Sequence, residues 1–242
     1  MSKVFTVISG KGGVGKTTIA SNLGVSLSLM HKTTVVVDAD LAMGGIATIL
    51  GLGEAPVSLH ELLADKGSVE KAIHSTHGLD VLPSGPTIEG FLKADPKKLK
   101  RVVDKLAKTH DYVIIDSPPG LNKYSLAPLK AADEVLLVVT PDIQAVQATA
   151  KLQKVIDAIN ATVRGVIVNR YRKPSFFAWL FGAKDPLGKE NIERELKAKV
   201  LGVIPEDPAV IESINMKKSV ILHKPKSRAS QAITTLAENL VK

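Results

Sequence analysis

At 242 residues the chain can bury a sizeable core, and a hydrophobic content of 45% marks an ordinary globular sequence, not a disordered one. It contains no cysteine, which excludes disulfides, thiolate metal sites and iron–sulfur ligation together. A net charge of +8 favours polyanionic partners, nucleic acid or an anionic membrane face, unless the lysines serve solubility alone. No apolar run reaches the roughly 18–20 residues that span a bilayer, and the N-terminus enters a strand with no charged-then-apolar leader. The expected location is therefore cytoplasmic, with or without peripheral attachment at the inner face of the cell membrane.

Taken in order, runs rich in β-branched residues recur at 3–9, 33–38, 79–84, 111–116, 133–140, 162–169 and 199–205. Most are near-continuous apolar runs, as in strands buried on both faces. Helical patterns separate them. One runs from Ile19 to Met30, and Ser58-Leu-His-Glu61 is a capping box. Asp95-Pro96 opens a basic helix to about Lys108, and Asp142 caps a long one to about Asn160. Arg228 to Val241 carries an ordinary core stripe of Ala229, Ala232, Ile233, Leu236 and Leu240. Alternating β and α predicts an α/β fold, a doubly wound, mostly parallel sheet with helices on both faces. With no repeat or linker, residues 1–242 read as one domain of P-loop type, carrying a basic-aromatic insertion at about 170–188.

The stretch "SGKGGVGKTT" (9–18) follows the first strand and opens a helix, which is where a phosphate loop belongs. Gly10, Gly12, Gly13, Val14 and Gly15 would turn successive backbone N–H groups toward phosphates at a helix N-terminus. Lys16 would meet the β- and γ-phosphates, Thr17 would place its hydroxyl on Mg²⁺, and Thr18 would reach the α-phosphate. Lys11 is then a second cation that the motif does not require. Asp116 ends the buried strand "YVIID", where a carboxylate holds Mg²⁺ directly or through water. Asp38 and Asp40 end "VVVDAD" on one side of their strand, with Ala39 facing away. One of the pair would orient the loop and the other position water for attack on the γ-phosphate, and Asp40 is a second candidate ligand for the ion.

"KGGVGKTT", "DADLAMGG", "DYVIIDSPPG", "VIVNRY" and "VIPEDP" stand in an order and spacing that resembles the MinD/ParA family of deviant Walker A ATPases. The likeness is strongest to archaeal MinD-like proteins and covers nearly the whole chain. It implies that Lys11 reaches across an ATP-bound homodimer to phosphates held by the other subunit. By the same resemblance Asp40 positions the attacking water, Asp38 supports the first switch loop, and Asp116 reaches Mg²⁺ through water. Pro118 to Gly120 would form the second switch, and adenine would lie against Asn169, Pro205 and Asp207. Many family members carry an asparagine in the first switch, where this chain has Gly44-Gly45. That departure implies slow hydrolysis, or a silent nucleotide-gated binding module, and an activating protein is a further expected partner.

"RYRKPSFFAWLFGAK" (170–184) gathers most of the chain's aromatic side chains among basic residues. Phe176, Phe177, Trp179, Leu180 and Phe181 would cover a helical arc of roughly 200°, too broad for a helix lying on its own protein. The expectation is a wedge that docks on anionic lipid or in a partner's groove, with internal packing as the bland alternative. Two such loops on a dimer would bind far more tightly than one. Basic runs at 93–108 and 217–228 read as solvated faces, or as a surface for non-specific DNA in the ParA manner.

Overall fold

Eight strands form one sheet in the order β3-β4-β2-β5-β1-β6-β7-β8. They are β1 (Lys3–Ile8), β2 (Thr34–Asp38), β3 (His74–Thr76), β4 (Leu79–Leu82), β5 (Tyr112–Asp116), β6 (Glu134–Val139), β7 (Thr162–Tyr171) and β8 (Val200–Pro205). Every pairing is parallel except β3 with β4. The computed structural model describes residues 2–53, 57–172 and 187–242.

The central strands are apolar in both alternating sets, so each face of the sheet needs a helical cover. On one face Phe5, Val7, Val36 and Ile114 pack against Ile19, Leu23 and Leu27 of α1 (Lys16–Leu29). Ile233, Leu236 and Leu240 of α12 (Arg228–Val241) join the same cluster, as the core stripe predicts. On the other face Val35, Val37, Val113 and Ile115 meet α3 (Leu59–Leu63) and α6 (Leu99–Leu106). Further along, Val135, Leu137 and Val139 meet Val146, Leu152 and Ile156 of α8 (Ile143–Ala158) and Ile192 and Leu196 of α9 (Lys189–Leu196). Each fully buried side chain of this kind contributes about 1.5–3 kcal/mol. Shorter helices fill the connections: α2 (Ile46–Leu50), α4 (Val69–Ala72), α5 (Ile88–Lys93), α7 (Lys123–Ala131), α10 (Pro208–Asn215) and α11 (Val220–His223).

Beyond the connecting helices, which the sequence reading did not place, three details depart from it. The edge strand β3 is unanticipated, because three residues with no apolar alternation carry no strand signal. The basic helix opens as a 3₁₀ turn, Pro96–Lys98, under the Asp95 cap and ends at Leu106, short of Lys108. Helix α1 starts at Lys16 and not at Ile19, directly after Gly15, whose φ of 93° only glycine adopts cheaply. The segment holding Phe176, Phe177, Trp179, Leu180 and Phe181 lies outside the described residues. Among the described residues no helix is long and apolar enough to cross a membrane.

Candidate functional site

The loop from Ser9 to Gly15 leaves the carboxyl end of β1, between β5 and β6 and close to the middle of the sheet. Strand ends of this kind are where ligands sit in open α/β sheets. Val14 is buried in the core and anchors the loop, while Gly12 and Gly13 are exposed. A Cβ on Gly10 would lie 2.2 Å from the Ala148 backbone, and the Gly10 amide donates to Thr149 Oγ1 at 3.2 Å. The phosphate loop thus rests directly on α8.

Lys16 is 7% exposed and faces Asp116 and Asp40. Burial lowers its pKa, and the two carboxylates oppose that shift. Thr17 and Thr18 follow on the first turn, half-buried. Asp38 and Asp116 stand opposite one another in the β2–β5 register, at the ends of adjacent strands. Strands in that register lie about 4.8 Å apart, so the two acids share one small dry space. Burial raises both carboxyls, Asp38 to about 7 and Asp116 to about 8, each charge also opposing another nearby. Asp38 Oδ2 accepts from the Ile46 amide at 3.0 Å, whereas its Oδ1 and both Asp116 oxygens have no partner within the described residues. Three unpartnered carboxylate oxygens beside Lys16 and Thr17 are the donor set a hard divalent cation takes. Mg²⁺ fits the residues present.

This electrostatics gives a pH prediction. A carboxyl whose pKa is raised by folding contributes stability below the unfolded value near 3.8, and the contribution is lost as pH rises through about 7 to 8. Protein without added nucleotide should therefore lose melting temperature between about pH 5.5 and pH 8, and Asp116→Asn should flatten that decline. Cation binding between these pH values should release protons. Calorimetry in buffers of different ionisation enthalpy measures that release.

The first switch loop lies over the acids. Asp40 Oδ1 accepts from the Met43 amide at 3.2 Å, and the Asp40 charge adds to the rise of the Asp38 carboxyl. Asp40 is half-buried at the mouth of the site, whereas Asp38 is 1% exposed beneath it. A Cβ on Gly44 would fall 1.9 Å from Ser84 Oγ and 2.9 Å from Asp38 Oδ2. At Gly45 the same atom would meet only Thr17 Cγ2, at 3.5 Å.

A separate cleft of about 220 Å³ opens on the other side of the loop. Gly15, Thr18, Asn169, Pro205 and Asp207 line it, so the residues expected around adenine converge. Asn169 Nδ2 donates to the Val14 carbonyl at 2.8 Å and ties the end of β7 to the phosphate loop. Asp207 uses its carboxylate inside the protein, accepting from the amides of Ala209 and Ala229. It therefore shapes the wall of the cleft. Ile211 and Ile214 of α10 complete the apolar side, which the sequence reading missed because "VIPEDP" looks like a turn after a strand.

Lys11 is engaged at the start of α8. Its Nζ lies 3.3 Å from both Asp142 Oδ1 and Gln144 Oε1 at the start of α8, with the side chain 41% exposed. Asp142 caps α8 as expected, accepting from the Ala145 amide at 2.8 Å, and its role as a seat for Lys11 had no sequence signal. An exposed pair of this sort is worth at most about 1 kcal/mol, so it is easily given up.

A phosphate loop at the sheet centre, two strand-end acids beside it and a flanking apolar cleft define a P-loop nucleotide-binding protein. The AAA_31 family model, described as an AAA domain, matches residues 2–168. An uncharacterized ATP-binding protein of Methanocaldococcus jannaschii is 37% identical over 236 residues, spanning 97% of this chain and 86% of its own. The septum site-determining protein MinD of Pyrococcus horikoshii, solved with Mg-ADP, matches with a TM-score of 0.91 at 32% identity, covering 100% of this chain and 97% of that one. The MinC:MinD cell division protein complex of Aquifex aeolicus gives 0.86 at 29% identity, over 99% and 96% of the two chains. This chain belongs to the MinD/ParA family of deviant Walker A P-loop ATPases.

Proposed function

We propose that the protein is an ATP-gated dimerising switch that hydrolyses ATP slowly and so controls where other cellular machinery is placed, at the inner face of the cell membrane. The observation that carries this reading is Lys11, a loop lysine seated on Asp142 and Gln144 and free to be exchanged for a phosphate on a second copy. A charge-assisted contact to a partner's phosphate is shorter and stronger than the exposed pair it replaces.

In this reading the loop amides and Lys16 hold the phosphates, and Asn169, Pro205 and the α10 wall hold adenine. Mg²⁺, bound by Thr17 and through water by Asp116, would neutralise charge on the β- and γ-phosphates. Asp40 orients a water oxygen for in-line attack on the γ-phosphorus while the bond to the β-phosphate oxygen breaks; ADP and inorganic phosphate leave, and the proton lost from the water passes to solvent. Asp38 holds the Ile46 amide and keeps the first switch loop over the site. The P. horikoshii relative was solved with Mg-ADP and the A. aeolicus relative with MinC, which support a nucleotide, an Mg²⁺ ion and a protein partner here.

Membrane attachment through Phe176, Phe177, Trp179, Leu180 and Phe181 is part of the proposal and rests on the sequence alone. The rival surface for DNA is weakened by its own neighbours. Lys98 and Arg101 both pair with Asp65, Lys93 pairs with Glu89 and Lys100 with Asp104. Asp40→Ala should retain nucleotide, stop turnover and stay captured on anionic liposomes in ATP. Capture of that variant by duplex DNA and not by liposomes would move the protein to the partition branch.

A further inference from the structure

One buried polar side chain reaches the first switch loop from outside the nucleotide site. His60, on the first turn of α3, is 1% exposed, and its Nε2 lies 2.9 Å from the carbonyl oxygen of Leu41. A carbonyl only accepts, so Nε2 carries the proton and donates. Leu41 follows Asp40 directly in the chain. The other ring nitrogen, Nδ1, is buried with no hydrogen-bond partner among the described residues. A Cβ would come within 2.6 Å of Nδ1 at Gly85 and 2.9 Å at Gly90, so only bare backbone leaves room for the ring. The imidazole is built into place although it touches neither acid.

Its base is rigid. The Leu59 and His60 amides donate to the carbonyls of Pro83 and Ser84 at 2.8 and 2.9 Å, just past the end of β4. Ser58 Oγ donates to the Ser84 carbonyl at 3.1 Å, and Glu61 returns to the Ser58 amide at 2.9 Å. Of the loop's other ties, Met43 to Asp40 and Ile46 to Asp38 end on the acids themselves, and before Asp40 the Ala39 amide donates to the Asp116 carbonyl at 2.9 Å. His60 adds a directional bond to the Leu41 carbonyl, beside the packing of the Leu41 side chain in the core.

We propose that His60 is a positioning residue for hydrolysis, fixing the Leu41 carbonyl so that Asp40 is held at the distance and angle its water needs. The inference rests on the reading of Asp40 given above. Losing the bond leaves a buried carbonyl without a donor and lets the loop drift. A misplacement of about 1 Å can cost up to about 10²-fold in rate.

The test compares His60→Ala, His60→Asn and His60→Gln in the full chain. Glutamine places an N–H where Nε2 stands, and asparagine reaches only as far as Nδ1. Phosphate release, affinity for a fluorescent ADP analogue, and hydrogen exchange of the 41–46 amides are read in parallel. The alanine and asparagine variants should lose kcat by about tenfold while ADP affinity stays within about twofold. Their 41–46 amides should exchange faster, and the glutamine variant should recover most of the rate and the protection. Equal rates in the glutamine and asparagine variants, or unchanged exchange, would overturn the proposal. If the wild-type chain showed no turnover, the hydrolytic reading would fail while exchange still decided the clamp. If His60→Ala did not fold, the glutamine–asparagine pair would decide both.

Discussion

Lys11→Ala should abolish measurable ATP turnover, a loss of at least about 10²-fold, while ADP affinity stays within about twofold of the wild type. The two effects separate because, in the proposed reading, Lys11 serves the phosphates of the second subunit and not those of its own loop. In that reading Lys16, buried near Asp116 and Asp40, holds the phosphates in cis. Lys11 spends its charge on Asp142 and Gln144, with 41% of the side chain exposed. Removing it takes little from the lone chain. In the proposed dimer it would remove a cation that meets the γ-phosphate as negative charge moves onto the leaving oxygen. Lys11→Arg should not restore the rate, because a flat guanidinium does not reproduce a compact ammonium. Phosphate release alongside a fluorescent-nucleotide titration gives both numbers, and a parallel fall in ADP affinity would return Lys11 to a role in cis.

The second large effect concerns the two glycines of the first switch, which the structure makes unequal. Gly44→Ala places a methyl group 1.9 Å from Ser84 Oγ and 2.8 Å from Ser84 Cβ. Ser84 is 6% exposed and its carbonyl receives the Ser58 hydroxyl and the His60 amide, so it cannot retreat. The loop must lift, and the Ile46 bond to Asp38 lifts with it. We expect a stability loss of about 1–3 kcal/mol, as for overpacking, and at least a tenfold fall in turnover, on the order expected for a displaced catalytic group. Gly45→Asn should behave in the opposite way. Its φ of −133° suits any residue, a Cβ there makes ordinary contact, and the position caps α2, where asparagine is favoured. The added amide sits beside Thr17 at the mouth of the site, and turnover should rise. A melt and a phosphate-release assay on both variants settle the matter.

Gly44-Gly45 also shows where reading the chain stops. The missing asparagine is legible in the sequence, but which of the two positions can accept one depends on Ser84, forty residues later. The phosphate loop was legible because its chemistry is local, with glycines, two lysines and two threonines inside ten residues. Asp116 and Asp38 were legible as the last residues of apolar strands, although their sharing of one dry space needs the β2–β5 register. Asn169 bonding to Val14 spans 155 positions, and nothing in "VIVNRY" announces it without the family likeness. The capping box drew attention to Ser58 and Glu61, while His60 between them looked like an ordinary helical residue. Its partner, Leu41, lies on a different loop. The short elements β3, α2 and α4 escaped for a simpler reason. Three to five residues do not make a period.

The most direct measurement is sedimentation velocity of the wild-type chain with Mg²⁺ and either ADP or a non-hydrolysable ATP analogue. Monomer in ADP and dimer in the analogue, with Lys11→Ala monomeric in both, is the predicted result. A wild-type chain that keeps one mass in both nucleotides while binding each of them would contradict the account.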